Sequence, residues 1–357
     1  PASDGLQLAL KQHEPIEGRQ ERRRVRERGV HPHDQIRARD EARQHHRPTG
    51  PREHGALDGL PEQMSGGLGR DHDQPVQGFR RTSGDRLQEA PLSEVGGKRL
   101  FVKEIEDALL QNEIDLAVHS SKDLPVVLPA GLTLAGVLPR EDPRDAIVLP
   151  ARPGDGPPAM VSLAELAVRL GPAPSIGTGS VRRVAQLARV FQGARFTPIR
   201  GNLDTRLRKL DAGEVDATLL ALAGLKRLGL ADAATEALAA DEFIPAVGQG
   251  IIAIEAREDD EATRNMLTAI DHADSMTALL TERAFLKVLD GSCRTPIAGH
   301  AMIANGRVHF RGLIAKPDGS ACFEAEREGQ TSDAAALGAD AGEELKRRAG
   351  PNFFALG

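Results

Sequence analysis

The sequence predicts an α/β fold, and three observations carry that prediction. From Ser93 onward, helical and strand periodicities alternate along the chain. Two strand segments, Glu113-Ile-Asp-Leu-Ala-Val118 and Glu214-Val-Asp-Ala-Thr-Leu219, are near copies, which points to two similarly built α/β lobes. Several strands run directly into polar or glycine-rich clusters, the position at which open α/β sheets bind ligands. Alternation of this kind favours parallel sheets.

The elements follow in order. In Leu100–Leu110 the residues Leu100, Phe101, Ile105, Ala108 and Leu109 fall at helical spacing and make one apolar face. The apolar run Ile114–Val118, broken only by Asp115, reads as a short buried strand. It stops at His119-Ser-Ser-Lys-Asp123, a polar cluster closed by Pro125. Lys122 and Asp123, side by side at a strand end, are placed to hold an anion and to handle a proton or a developing cation; a solvated turn is the alternative. Ser175-Ile-Gly-Thr-Gly-Ser-Val-Arg-Arg183 is a strand end, a glycine turn and a helix start. There Thr178 and Ser180 offer hydroxyls and backbone N–H groups to an anion. Arg182 and Arg183 stand in the first turn, where the helix dipole prefers acids, so a negative ligand compensates them or the helix start is simply solvated and salt-bridged.

Ile199-Arg-Gly-Asn-Leu-Asp-Thr-Arg206 repeats the device, with Asn202 or Asp204 as helix cap and Arg200 and Arg206 facing the strand-end crevice. A helix at Thr205–Leu210, a turn at Asp211–Glu214 and a strand at Val215–Ala223 come next. Pro245-Ala-Val-Gly-Gln-Gly-Ile-Ile-Ala-Ile-Glu255 places glycines on both sides of Gln249 before a β-rich run, as suits a chain crossing between lobes. The cleft so built has Lys98, Lys122, Arg182, Arg183, Arg200 and Arg206 against a single acid, Asp123. That balance suits a ligand with several carboxylates, which the arginine fork grips bidentately. The helix Thr281–Leu289 stops at Gly291. Cys293 then lies in a loop beside Arg294, which favours its thiolate; a buried inert thiol is the alternative. Cys322 sits in a strand and reads as packing, and a Cys293–Cys322 disulfide stays open.

Composition excludes several classes. The chain has 357 residues, is 40% hydrophobic and 27% charged, and has room for two or three domains. No run approaches the length of a membrane span, and no secretory leader is recognisable. Two cysteines argue for a reducing cytoplasm. A net charge of −6, without Trp or Tyr, gives no nucleic-acid surface. The segment before Gly84 differs from the rest. It is rich in Arg, Gln, Gly and Pro and holds seven of the eleven histidines, so it cannot bury enough apolar area to offset its ordering entropy, and disorder or misfolding is expected. No helical or strand frame places His31, His33, His45 and His46 as ligands, so no metal site is assigned.

The ordered motifs Gly-Gly-Lys98, Phe101-Val-Lys-Glu-Ile-Glu, Ala117-Val-His-Ser-Ser-Lys-Asp-Leu-Pro125, Arg140-Glu-Asp-Pro-Arg-Asp-Ala146, Ile176-Gly-Thr-Gly-Ser-Val-Arg-Arg183, Arg200-Gly-Asn-Leu-Asp-Thr-Arg-Leu207, Pro245-Ala-Val-Gly-Gln-Gly250 and Gly291-Ser-Cys-Arg-Thr-Pro-Ile297 resemble the porphobilinogen deaminase (hydroxymethylbilane synthase) family from about Gly84 to the C-terminus. The resemblance implies two periplasmic-binding-protein-like lobes and a small C-terminal α/β domain. Its segments are 84–140 with 249–270, 144–245, and 273–357, after the atypical 1–83. It implies an enzyme of tetrapyrrole (haem and chlorophyll) biosynthesis, a transferase that joins four porphobilinogen units with release of ammonia. A dipyrromethane cofactor is implied on Cys293 through a thioether, with Asp123 as the catalytic carboxylate. The carry-over gives Ser120, Lys122, Thr178, Ser180, Arg182 and Arg183 to the cofactor. Lys98, Arg200, Arg206, Arg227 and Gln249 go to the substrate. A cytoplasmic monomer without nucleic-acid or membrane partners is expected.

This sequence departs from the family pattern. The family's opening strand and helix, Arg-Ile-Gly-Thr-Arg-x-Ser-x-Leu-Ala, supplies an arginine and a serine to the site, and nothing in Pro1–Arg80 resembles it. That segment looks like a GC-rich gene read out of frame, with the frame resuming near Gly84. Arg99 stands where a tight turn wants glycine, and Ser121, Gly179 and Ser292 are milder exchanges. An impaired derivative and a non-enzymatic two-lobe binder of polyanions are therefore the rival readings. The lone sheet edge left by a missing strand favours the first rival, and Asp123 with Cys293 counts against the second.

Overall fold

The computed structural model describes residues 98–150, 159–199, 201–291, 295–351 and 353. The expectations for the segment before Gly84, for Arg200 and for Cys293 lie outside the described residues. Three sheets organise the rest, and the α/β class read from the periodicity is what the chain forms.

The first sheet has the order β1-β9-β2, with β1 at Leu116–Ser120, β2 at Leu132–Val137 and β9 at Ile252–Arg257. Helix α1, Lys98–Leu110, covers it and buries Val102, Ala108 and Leu109. Arg99 therefore lies in the first turn of a helix, not in a tight turn, and needs no glycine. The strand expected at Ile114–Val118 starts two residues later and is buried on one face only: Ala117 and His119 point inward while Leu116 and Val118 are exposed.

The second sheet has the order β4-β8-β3-β7-β5-β6. Its strands are β3 Asp145–Val148, β4 Ala159–Val161, β5 Ser175–Gly177, β6 Arg195–Thr197, β7 Ala217–Ala221 and β8 Glu236–Leu238. Helices α2 (Leu163–Leu170), α3 (Val181–Ala188), α4 (Leu203–Asp211) and α5 (Leu222–Arg227) belong to this lobe. The capping box of Ser162 and Glu165 starts α2, and the side chains of Ser180 and Asn202 cap α3 and α4. The strand expected to reach Ala223 ends at Ala221, because Leu222, Ala223 and Leu225 are buried as the first turns of α5. The repeated hexapeptides do behave alike: β1 and β7 each begin at the fourth residue of the repeat.

The expected parallel pairing forms only in part, within the second sheet. β9 runs antiparallel to both β1 and β2, and β3 runs antiparallel to β7 and β8, while β4–β8, β5–β6 and β5–β7 are parallel. The reason is the crossover. β3 and β9 are the strands that enter a lobe from the other lobe, and they run against the strands built within it. Two segments make this passage, around residues 138–145 and 244–251, and they are in backbone contact: Glu141 N–H donates to Gly250 O at 3.1 Å. A Cβ on Gly250 would fall 2.3 Å from the Glu141 carbonyl oxygen, so only glycine lets the two strands pass this closely.

The third sheet is an antiparallel meander of β10 (Ile297–Ala304), β11 (Arg307–Ala315) and β12 (Cys322–Gln330). Helix α7 (Ala273–Val288), which follows α6 (Glu261–Leu267), packs on it with α8 (Ala334–Ala349). Phe285 and Phe310 meet in its core with ring centroids 5.0 Å apart. Cys322 is a free, half-buried thiol at the start of β12, and burial raises its pKa. Among the described residues no helix is long and apolar enough to cross a membrane.

Candidate active site

The first lobe contributes the turn after β1. Ser121–Asp123 form one turn of 3-10 helix, tied to the sheet by Ser121 N–H donating to Ile251 O at 3.0 Å and closed by Leu124 N–H donating to Ser121 O at 3.2 Å. Ser121 is buried, while Lys122 and Asp123 are half-buried and Ser120 is exposed. Gly248, at φ +71°, lies under the turn; a Cβ there would sit 2.6 Å from Ser121 Oγ. The backbone of the crossover thus sets the height of the turn that carries Asp123.

Lys122 Nζ donates to Gln249 Oε1 at 3.3 Å. The buried Gln249 amide passes the connection on, donating to Pro143 O at 2.7 Å and to Asp145 Oδ1 at 3.2 Å. Asp145, fully buried at the start of β3, accepts from Arg182 Nη2 at 2.7 Å and from Arg183 Nε and Nη2 at 3.0 and 2.7 Å. One further nitrogen of each arginine donates to backbone: Arg182 Nη1 to Ile244 O at 2.8 Å and Arg183 Nη1 to Leu219 O at 2.6 Å. Burial alone would raise the Asp145 carboxyl, but the two guanidiniums outweigh it and bring its pKa down to about 2. One line of hydrogen bonds thus joins Lys122 in the first lobe to α3 in the second.

This corrects the sequence reading of the paired arginines. They do require an anion at the start of α3, but a side chain supplies it, and Asp123 is not the only acid among the cations. Arg182 Nε remains buried with no hydrogen-bond partner among the described residues. Thr178 is buried beside them, its Oγ1 accepting from Ser180 N–H at 3.2 Å, and Ser180 Oγ caps Arg183 N–H at 3.5 Å. Gly179 has room: an added Cβ would meet only Ile199 O, at 3.6 Å.

Arg206, on α4, is half-buried and donates from Nε to Gly201 O at 3.0 Å. Burial and then Arg183 lower its pKa, while Asp123 opposes them. Arg206 therefore feels groups from both lobes. Arg227 is exposed, and its Nη2 donates to Gly250 O at 2.7 Å, while the adjacent Lys226 pairs with Glu141 at 2.9 Å. Both bear on the crossover. Lys98 is the first residue of α1.

Sequence reading missed the residues that hold these parts together. Glu282 of α7, fully buried, pairs with Arg140 at 2.5 Å and accepts from Gly248 N–H at 2.6 Å and Ala301 N–H at 2.8 Å, while Arg140 Nε donates to Gln249 O at 2.9 Å. The third sheet's helix is in this way bonded to the crossover. Asp145 and Arg140 both lie in the Arg140–Ala146 motif, but local pattern assigns neither a partner.

The donor set fits a dipyrromethane bearing several carboxylates. Lys122, Arg206, Thr178 and Ser180 come from both lobes, the buried Arg182 Nε lacks an acceptor among the described residues, and the Asp123 carboxylate adjoins Lys122 and acts on Arg206.

The fold and site thus define a two-lobed α/β protein in which a Lys-Asp turn of one lobe is tied by hydrogen bonds to a pair of buried arginines of the other. Residues 72–265 match the family model described as "Porphobilinogen deaminase, dipyromethane cofactor binding domain", and residues 276–347 match "Porphobilinogen deaminase, C-terminal domain". The chain belongs to the porphobilinogen deaminase family. The match begins at residue 72, ahead of Gly84 where the motifs place it. A porphobilinogen deaminase of Nitrobacter hamburgensis is 56% identical over 277 residues, covering 77% of this chain and 84% of that protein. A chloroplastic porphobilinogen deaminase of Oryza sativa subsp. japonica is 49% identical over 278 residues, covering 77% and 74%. Among solved structures, an ABC transporter periplasmic binding protein from Brucella ovis with glutathione bound is 16% identical with a TM-score of 0.29, covering 53% of each chain. A likeness at that level bears on neither ligand nor activity.

Proposed function

We propose that this chain is a hydroxymethylbilane synthase that joins four porphobilinogen units on a dipyrromethane held by Cys293, releasing one ammonia per addition. The observation that carries the reading is the hydrogen-bond line Lys122–Gln249–Asp145–Arg182/Arg183, which fixes the Lys-Asp turn of one lobe to the arginine cluster of the other. When bound, the cofactor would supply the free pyrrole carbon to which the first unit is joined, each later unit being joined to the ring added before it. Asp123 handles the protons. Each addition breaks an aminomethyl C–N bond, forms a C–C bond, and moves one proton from the acceptor carbon to the departing ammonia. The proton count closes on a single carboxylate, which gives a proton to the amine and recovers one from the new linkage. Between those events the ionised Asp123 stabilises positive charge on the pyrrole.

In this reading Lys122, Ser120, Thr178 and Ser180 hold cofactor carboxylates, and Arg206, Lys98 and Arg200 hold those of the substrate. Arg182 and Arg183, committed to Asp145, form the positive floor of the site, and Gln249 and Arg227 set the crossover. The chain works as three units, 84–140 with 249–270, 144–245, and 273–357. A cytoplasmic monomer fits its two cysteines and its moderate net charge.

Intact-mass spectrometry tests the reading. A dipyrromethane adduct that maps to Cys293 is expected, and an unmodified, inactive chain overturns it. Asp123→Asn is expected to keep the adduct and lose about 10²-fold or more in turnover. Near-normal turnover removes Asp123 from the mechanism.

A further inference from the structure

Beneath the catalytic turn lies a second group of ionisable side chains that the reaction does not use. Glu255 of β9 is fully buried, His119 of β1 is 8% exposed and Glu106 of α1 is 6% exposed. Ala117 faces Glu255 across the β1–β9 ladder, so His119, two residues on, is the diagonal neighbour of Glu255 on the same buried face. His119 Nε2 lies 3.3 Å from Glu255 Oε2, yet among the described residues neither oxygen of Glu255 has a hydrogen bond of good geometry, and Glu106 Oε1 has none. Apolar residues flank the group on both sides: Val102, Leu124, Val137, Ile251, Ala253 and Leu279 in one cluster, Leu109, Ala117 and Leu132 in the other. Acids are rarely buried in such a place without a partner to address.

The partners of Glu255 bracket the turn. His119 is the last buried residue before Ser120. On the far side Arg283 of α7 donates from Nη2 to Pro125 O and Val126 O, both at 2.8 Å, and so holds the chain where it leaves the turn. Burial lowers the Arg283 pKa, and Glu255 is the charge that opposes this. Burial and then Glu255 raise the pKa of Glu106, with His119 opposing.

We propose that Glu255 is a positioning residue for Asp123: its buried charge holds His119 on the entry side of the Ser121–Asp123 turn and compensates Arg283 on the exit side, fixing the carboxylate at the reacting atoms. The inference rests on the proposed function for its catalytic consequence but not for its structural one. Displacement of a catalytic group by about an ångström is enough to cost roughly two orders of magnitude in rate.

The test compares the holoenzyme with Glu255→Gln, which keeps shape and removes charge. Amide hydrogen exchange in the 121–127 segment is expected to quicken at least tenfold, with exchange in β10–β12 unchanged. kcat is expected to fall tenfold or more with KM within twofold, the adduct on Cys293 retained, and Glu255→Asp intermediate between the two. Exchange of the turn at the wild-type rate, or kcat lost only in proportion to unfolded protein, overturns the proposal. Should Glu255→Gln not fold, Arg283→Gln reads the same device from the exit side: faster exchange confined to the turn supports it, and an unchanged turn rejects it. A wild-type chain without adduct or turnover would defeat the functional reading alone, since the exchange comparison still decides the positioning role.

Discussion

The two lobes bury acids next to the same cleft and obtain opposite results. In the second lobe Asp145 meets two guanidiniums in near-ideal geometry, and its pKa falls to about 2. In the first, Glu106 shares a buried pocket with Glu255 and a single histidine, and its pKa rises. Burial is common to both, so the difference is made by how many cationic donors arrive and how well they fit. The second lobe holds its acid in a set of matched ion pairs. The first carries a less satisfied group under the Ser121–Asp123 turn.

The largest expected effect comes from breaking the ion-paired side. Asp145→Asn leaves Arg182 and Arg183 buried without a counter-charge and is expected to cost about 3–5 kcal/mol in denaturant unfolding of the holoenzyme. The folded Asp145 pKa lies below the ordinary 3.8, so its contribution is complete above that value and is lost as pH falls through about 2. The gap between wild type and variant should accordingly narrow over that window. An equal gap at pH 3 and pH 7 would show that shape, not charge, is at stake.

Gly248→Ala comes next. Its Cβ would press on Ser121 Oγ from a left-handed backbone, and a loss of about 1–3 kcal/mol is expected. Turnover should fall further than stability explains, and a parallel fall in both would separate the crossover from the turn. The smallest effect belongs to Glu106→Gln. A folded pKa above the unfolded 4.5 means that stability declines as pH rises from 4.5 through the folded value. The variant should lack that decline and be the more stable of the two at pH 7. A loss at neutral pH would mean that the ionised Glu106 is needed.

Much of this arrangement is local and was therefore legible. The glycine turn at Thr178–Ser180 and the matching β1 and β7 repeats announce themselves through periodicity and turn residues, whereas the first strand, whose apolar run ends at Val118, continues to Ser120. The dipole argument at α3 left a bound anion and a salt-bridged helix start open for Arg182 and Arg183, and the salt bridge is what forms, buried and not solvated. That argument could not identify Asp145, because that partner is 37 residues away and arrives only through the sheet order. Strand direction failed for the same reason, since β3 and β9 owe theirs to the crossover and not to their own sequences. Glu255 did leave a trace: it is a charge at the end of the apolar run Ile251-Ile-Ala-Ile254, a place where a buried partner is required. Cys293 and Arg200 stay readings of the sequence.

The Gln249 side chain has one further implication. Its amide is a link of fixed length, with Lys122 at one end and Asp145 at the other. A single neutral side chain therefore couples the position of the 121–123 turn to the start of β3, and shortening it, as in Gln249→Ala, would uncouple the two without touching a charge.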